Sequence, residues 1–435
     1  MSPTENSAPV PNVAKTGTAL PRMTLACQLG LLMLAIGITG YAKTALSPVQ
    51  EAVKTSLSLS DNSISLLQGL ALALPVMIGG TPIGALVDRC NRVKLIRVLL
   101  VLSLFALCAS ALLPTYATLF LGRMLIGLTV GGMLPAVLSI SADLFSTGVR
   151  GRVNMLLGFG PVFGVALAFG LGGSLLTSLH GTGVTGGWRG TLLVMTAPVL
   201  MVLAASVFMR EPVRQETDTS SSMSLRKGLL ELRRYAPFIA PLSLGMLIVS
   251  MADTAAGVWA APILERQYHL SAAIVGKMLG GVMLLGGLLG VIAGGFLTDL
   301  LHKLRGERGV LLIAIDMAAL SILGAAFPLV HSATVFAALL TILLIAGGAM
   351  GIAVLTLFTL AIPNELRGFA IGLVSAGGTL IATGIAPSTV SLLSSFLQGP
   401  SALGEAMTIV GMTGSLTGTI ALVMAGRSIS KVDTV

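Results

Sequence analysis

Charged side chains make up only 10% of this 435-residue chain, against 54% hydrophobic ones. A water-soluble protein of this length carries about 25%, and the mean hydropathy of +0.95 points the same way, to an integral membrane protein. The three cysteines, Cys27, Cys90 and Cys108, lie singly in or beside apolar segments, which argues against a disulfide framework or a thiolate metal cluster. Aromatics amount to 5%, too few for base-stacking platforms. All four histidines fall in loops or at span ends, so a buried histidine relay is not expected. No Gly-x-x-x-x-Gly-Lys-Ser/Thr stretch exists, which argues against an ATP-driven pump. No Ser/His/Asp or Cys/His set shares one membrane depth, so neither an enzyme nor a cofactor or metal site is expected.

What the chain does have is long apolar runs, each near the roughly 20 residues a helix needs to cross a bilayer. Twelve spans are expected. The first five lie at about 24–53, 63–87, 95–113, 118–145 and 153–179, and the sixth follows Gly187-Trp188-Arg189 to residue 209. The rest lie at about 237–262, 272–298, 310–330, 333–361, 369–397 and 403–426. The chain thus divides into a disordered tail (1–22), a six-helix half (23–209), a polar linker (210–236), a second six-helix half (237–426) and a short tail (427–435). With both termini cytoplasmic, 20 of the 26 lysines and arginines fall on the cytoplasmic side, as the positive-inside rule requires. The net charge of +9 is therefore a topology signal, and no nucleic-acid partner is expected.

The charged stretch Gly84-Ala-Leu-Val-Asp88-Arg89-Cys-Asn-Arg92-Val-Lys94 is wedged between two apolar runs. Hydrocarbon does not tolerate these charges together, so the stretch is a turn in water. A weaker copy, Gly295-Phe-Leu-Thr-Asp299, follows 211 residues later. Pro48 likewise matches Pro262, and Arg150-Gly151 matches Arg367-Gly368. Such spacing indicates a duplicated six-plus-six transporter with its substrate path between the halves near mid-membrane. Asp88 is expected to accept hydrogen bonds from a helix N-terminus, and Arg92 to reach Asp143 at the inner end of span four.

These residues resemble the major facilitator superfamily over nearly the whole chain. Gly84-x-Leu86-x-Asp88-Arg89-x-x-Arg92 is similar to that superfamily's signature loop between spans two and three, with Asn91 where a glycine is usual. Arg123-x-x-x-Gly127, Arg150-Gly151 and Gly187-Trp188-Arg189 also sit where the superfamily has such residues. More narrowly, Asp88-Arg89-Cys-Asn91-Arg92 and the stretch from Leu270-Ser271 to Asp299 resemble bacterial spinster-like members. The chain departs from these in having Ala42-Lys43 after Tyr41 and Gly131-Gly132-Met133 in span four, where that family places its acidic residues. The resemblance implies an all-α fold of two six-helix halves that rock by alternating access, with spans 1, 4, 7 and 10 around the cavity. It also implies a cytoplasmic gate, with candidates Gly84, Asp88, Arg89, Arg92, Asp143, Arg150, Asp299 and Arg367.

Ionisable groups inside a membrane are functional candidates by default. Lys43, deep in span one, is either a cavity cation or a lysine that snorkels to the interface. Arg123 is either a tie between helices or an anion or proton-coupling contact. Asp253, midway along span seven, is a candidate for proton coupling, for a charge pair with Lys43 or Arg123, or for a permanent salt bridge. Tyr41 and Trp259 are candidates to line the cavity or to anchor at the interface. Two cations against one deep carboxylate favour a small organic anion, moved with protons across a bacterial inner membrane by a single copy of the chain. The alternative is a drug, amphipath or lysolipid exporter, since the walls are rich in Met, Leu and Gly.

Overall fold

The computed structural model describes residues 22–179, 181, 183–214 and 230–427. The expected tail, most of the linker and the C-terminal tail lie outside the described residues. Helices dominate, and no strand occurs among the described residues. In a bilayer every backbone polar group must be satisfied within its own segment, and helices achieve this.

Eleven helical stretches are long and apolar enough to cross a membrane. One of them, the helix Ala272–Gly324, is two spans in one. Its backbone leaves helical geometry at Gly306 (φ 61°, ψ −146°), a conformation that side chains disfavour. There the chain doubles back so tightly that Leu301 fills the space a side chain at Gly309 would need. The expected loop between spans eight and nine is therefore helical on both sides of a single reversing residue. Counted this way, the spans among the described residues are twelve. This is a multi-pass membrane protein.

Several spans are interrupted. Span two consists of Asp61–Gln68 and Leu70–Arg89, parted at Gly69 (φ −103°, ψ −88°). Span one is bent after Arg22–Thr44 by the turn Ser47–Val49, which contains Pro48. Span six breaks at Met195, between Gly187–Val194 and Thr196–Ala205. Span eleven widens over Thr379–Ile385. Each interruption frees carbonyls that side chains can then use.

Span two crosses span eleven, and span five crosses span eight. Away from the charged turns these seams are tight. A methyl group on Gly69 would lie 2.8 Å from the Gly384 carbonyl oxygen, and one on Gly173 would lie 2.9 Å from Gly276 Cα. Small residues permit such close contact between membrane helices. Toward the charged turns, Gly84, Gly151, Gly158, Gly295 and Gly372 on these same helices have nothing within 4 Å. The two halves meet at one end and part at the other.

Candidate functional site

Between the halves lies a chamber of about 220 Å³. Lys43, Thr44, Ser47, Gln68, Leu72, Arg123, Val165 and Phe169 line it from the first half, and Asp253, Thr254, Gly257, Val258, Met283 and Thr383 from the second. The three deep ionisable residues of the sequence thus share one wall space. Spans 1, 4 and 7 contribute as expected, but spans 2, 5, 8 and 11 do so as well. Span ten instead sits behind Asp253, where a methyl group on Gly347 would overlap the carboxylate. A second cavity of about 290 Å³ shares Thr383 with the chamber.

Arg123 is 3% exposed, and each of its three guanidinium nitrogens makes a hydrogen bond. Its Nη2 donates to Gln68 Oε1 at 2.7 Å, its Nε to the Leu67 carbonyl at 3.3 Å and its Nη1 to the Ala42 carbonyl at 3.4 Å. Gln68 in turn donates to Gln50 Oε1 at 2.7 Å and Ser47 Oγ at 3.2 Å. The Leu67 carbonyl is at the end of the helix that stops at Gln68. Arg123 therefore ties spans one, two and four together. Gln68 and Gln50 went unnoticed in the sequence, although two glutamines within apolar runs were the available signal.

Lys43 and Asp253 are different. Among the described residues, neither forms an ion pair or a hydrogen bond with another side chain. Asp253 Oδ1 is buried with no hydrogen-bond partner. The charge pair considered for Asp253 is not made among the described residues; the carboxylate packs instead against Gly347 of span ten.

Tyr41 and Trp259 do not line the chamber. The Tyr41 hydroxyl donates to the Met195 carbonyl at the break in span six, at 2.8 Å. Trp259 Nε1 donates to the Pro387 carbonyl at 3.0 Å, and its side chain is wholly buried. A buried aromatic with a polar tip usually finds a hydrogen-bond partner, and here that turns both rings into helix ties.

At the charged turns, Arg92 reaches Asp143 at 2.5 Å as expected. It also donates to Glu211 Oε1 at 2.8 Å, Ser139 Oγ at 3.0 Å and the Ser139 and Pro212 carbonyls. Glu211 was not anticipated. It also accepts from the Val93 amide at 2.9 Å, at the start of span three, where a carboxylate suits the helix dipole. Asp88 departs from expectation. Its side chain is exposed and, among the described residues, accepts no hydrogen bond. Instead the guanidinium of Arg214 takes the carbonyls of Val87, Asp88 and Cys90 where span two ends. Among the described residues Gly84, Arg89 and Asp299 are not joined to this cluster, and Arg89 and Asp299 are exposed.

At the opposite end, Arg266 of span seven grips two acidic residues of the other half. It donates to both carboxylate oxygens of Glu51 at 2.9 and 2.6 Å and to both of Asp61 at 2.8 Å. Lys54 adds a contact to Asp61 at 2.6 Å. This cluster is where the tight end of the seam is charged.

A family model for the Major Facilitator Superfamily matches residues 32–387. The chain belongs to that superfamily. Among curated relatives, the gentisate transporter of Corynebacterium glutamicum is 25% identical over 371 residues, covering 83% of this chain and 79% of that protein. Synaptic vesicle glycoprotein 2B of Mus musculus is 27% identical, but that match takes in 44% of this chain and only 28% of that protein. Among solved structures, a bacterial homologue of the human lysosomal transporter Spinster, inward-facing and occupied, superposes with a TM-score of 0.72. It is 22% identical, over 93% of this chain and 97% of that one. The superfamily is one of transporters, and the chain resembles its spinster-like members in fold.

The internal repeat of this superfamily member can be read atom by atom. Arg150 donates to the carbonyls eight and five residues upstream, those of Ala142 and Phe145. Arg367 does the same to Thr359 and Ile362, again eight and five residues upstream. Each arginine closes the C-terminal end of the preceding span, where cations are favoured.

Proposed function

We propose that this protein is a secondary transporter that carries a small organic anion between the two sides of the membrane by alternating access, coupled to protons. The observation that carries the reading is Lys43, a chamber-lining cation with no partner of its own among the described residues. Arg123 adds a second positive charge that is already held in place, so an incoming anion meets a fixed field with little reorganisation. The chamber, at about 220 Å³, falls below the ~300–1,000 Å³ typical of drug-sized ligands, which suits a compact solute. The relative from Corynebacterium glutamicum is named for gentisate, an aromatic carboxylate.

Asp253 is the proton-coupling group in this reading. It is among the residues that line the chamber from the second half, so its protonation and the binding of an anion bear on the same small volume. The Glu51–Asp61–Arg266 cluster holds one end shut while the other stands apart, and transport requires that this cluster release.

A second reading draws on an apolar groove of about 620 Å³ between spans one, five and six, lined by Met33, Ile38, Phe163, Leu167 and Met201 among others. Such a surface suits amphipaths entering from lipid, as an exporter would need.

Flux into proteoliposomes containing the purified chain separates the two. Uptake of labelled carboxylates, faster with an imposed proton gradient and cut at least about tenfold in Lys43→Ala, is the expected result. Asp253→Asn should still exchange anion for anion but should no longer respond to the gradient. Movement of amphipathic compounds alone, unchanged in Lys43→Ala, would replace the anion reading with the exporter.

A further inference from the structure

We propose that the outer face of span nine docks a transmembrane helix of another membrane protein, one that carries a lysine or arginine to meet Asp316. Such docking does not depend on what the chamber carries.

Span nine is the part of the helix Ala272–Gly324 that follows the reversal at Gly306. One side of it is buried, where Val310, Leu311, Ala314 and Ala318 join a core with Leu242, Leu357 and Leu422 of the same half. The opposite side carries Leu312, Asp316, Ala319 and Leu323, and all four are exposed. Steps of four, three and four residues keep them within about 60° of one another on a helix of 3.6 residues per turn. The seams between the halves run through spans two, five, eight and eleven, so this side is turned toward lipid.

A carboxylate is out of place there. Asp316 lies eight residues beyond Arg308, the last charge of the cytoplasmic turn, which is about 12 Å of helix rise. Its stem is too short to snorkel that far, as a lysine or arginine would. Among the described residues it makes no hydrogen bond and no ion pair. Its neighbours one turn away on the helix, Leu312, Ile313, Ala319 and Leu320, are all apolar. The other exposed carboxylates among the described residues, Asp88, Glu231, Asp299 and Glu405, lie near span ends or in the linker. Ionisable groups within spans ordinarily turn inward and pair. Asp316 does neither, which points to a partner outside the chain.

The occupants of such a face differ in what they give the carboxylate. Lipid tails leave it unpaired whether ionised or protonated, and headgroup amines lie at the interface. A second copy related by a two-fold axis through this face brings Asp316 against Asp316, and like charges disfavour each other. A helix from a different protein is free to place a cation at this depth. Ala319, small and one turn from Asp316, lets it approach closely. Leu312 and Leu323 flank the pair, at the alternating spacing of a helix–helix seam.

The test uses the full-length chain in liposomes, with a donor dye at its N-terminus, and synthetic leucine–alanine transmembrane peptides with an acceptor dye. One peptide has a single lysine about 12 Å inside its cytoplasmic end. A second has the lysine at the far end, a third has none, and a fourth has glutamate at the matched depth. The first should associate about tenfold or more strongly than the second and third. Asp316→Asn should remove that preference, and Asp316→Lys should transfer it to the glutamate peptide. Equal association of all four would overturn the docking. Asp316→Leu should melt no lower than the wild type, because the residue is outside the core; a marked fall would make Asp316 a structural tie and overturn the docking as well. A photoreactive residue in place of Ala319, activated in the cells that make the chain, reads the native occupant. The sequenced adduct should be a transmembrane segment with a basic residue, and adducts only to lipid or to the chain itself would rule that partner out.

Discussion

Arg92 shows how much a single side chain can hold once it is taken out of water. Its side chain is 2% exposed, and its guanidinium donates to Glu211, Ser139, Asp143 and Pro212 together. Removing one member of a buried ion pair typically costs about 3–5 kcal/mol. Arg92→Ala should therefore lower the unfolding midpoint in detergent sharply. Arg92→Lys should not restore it, because an ammonium has neither the planar fork nor enough donors for these partners. Gly347 poses the opposite case. Its missing side chain makes room for the Asp253 carboxylate, so Gly347→Ala should swing that carboxylate away from its present place. Under the proposed proton coupling, the expected outcome is a protein that expresses and melts like the wild type but whose uptake no longer follows an imposed proton gradient. A variant that keeps its proton response would detach Asp253 from coupling. These residue-scale partners were only half legible in the sequence. Arg92 and Asp143 stand at opposite ends of a recognisable pattern. Glu211 lies 119 residues from Arg92, in a linker where an acidic residue looks like ordinary solvated charge.

At the scale of elements, helix ends decide more than helix interiors do. Span two stops at Arg89, leaving carbonyls that a chain in water would hand to solvent. Here Arg214 takes three of them. Arg214→Ala should speed amide hydrogen exchange around residues 87–90 while leaving the chamber's ligand affinity within about twofold, since fraying of a terminal turn is local. The apolar runs and the charged turns were plain in the sequence because lipid forces both: length by bilayer thickness, charge by exclusion from hydrocarbon. The stretch between spans eight and nine was not. Leu, Lys, Arg and Glu are good helix formers even in water, so helical structure continues through the polar residues until Gly306 reverses the chain. Nor could the sequence say that Gly69 would break span two, because glycine is common within membrane helices. That break supplies the Leu67 carbonyl to Arg123, so the site's best-held cation depends on a backbone event with no pattern of its own. Tyr41 was drawn away from the cavity for a similar reason, since the break in span six offered its hydroxyl a partner, while Trp259 found a carbonyl near the start of the helix Ala386–Leu397.

Across the whole molecule, the two halves are held at one end by Arg266 against Glu51 and Asp61 and stand apart at the other. The three side chains of this cluster, and Lys54 beside them, were missed in the sequence because charges at span ends read as interfacial. Their side chains are about a quarter exposed, so the cluster is a latch within reach of water rather than a buried fixture. Arg266→Ala should free that end. With Thr383→Cys placed in the chamber of a chain lacking its three native cysteines, Arg266→Ala should raise maleimide labelling from the Glu51 side severalfold, and 0.5 M salt should do the same in part by screening. Unchanged labelling would mean that the glycine seam, not the ion cluster, keeps this end closed.

The position of Arg214 has a mechanical side. With Glu211 bound to span three and Arg214 bound to span two, the chain leaving the first half is cleated to that half through residue 214. The first half thus holds the start of the polar stretch as far as residue 214. Shortening the connection after residue 214 should restrain the swing of the second half first, long before it strains the first.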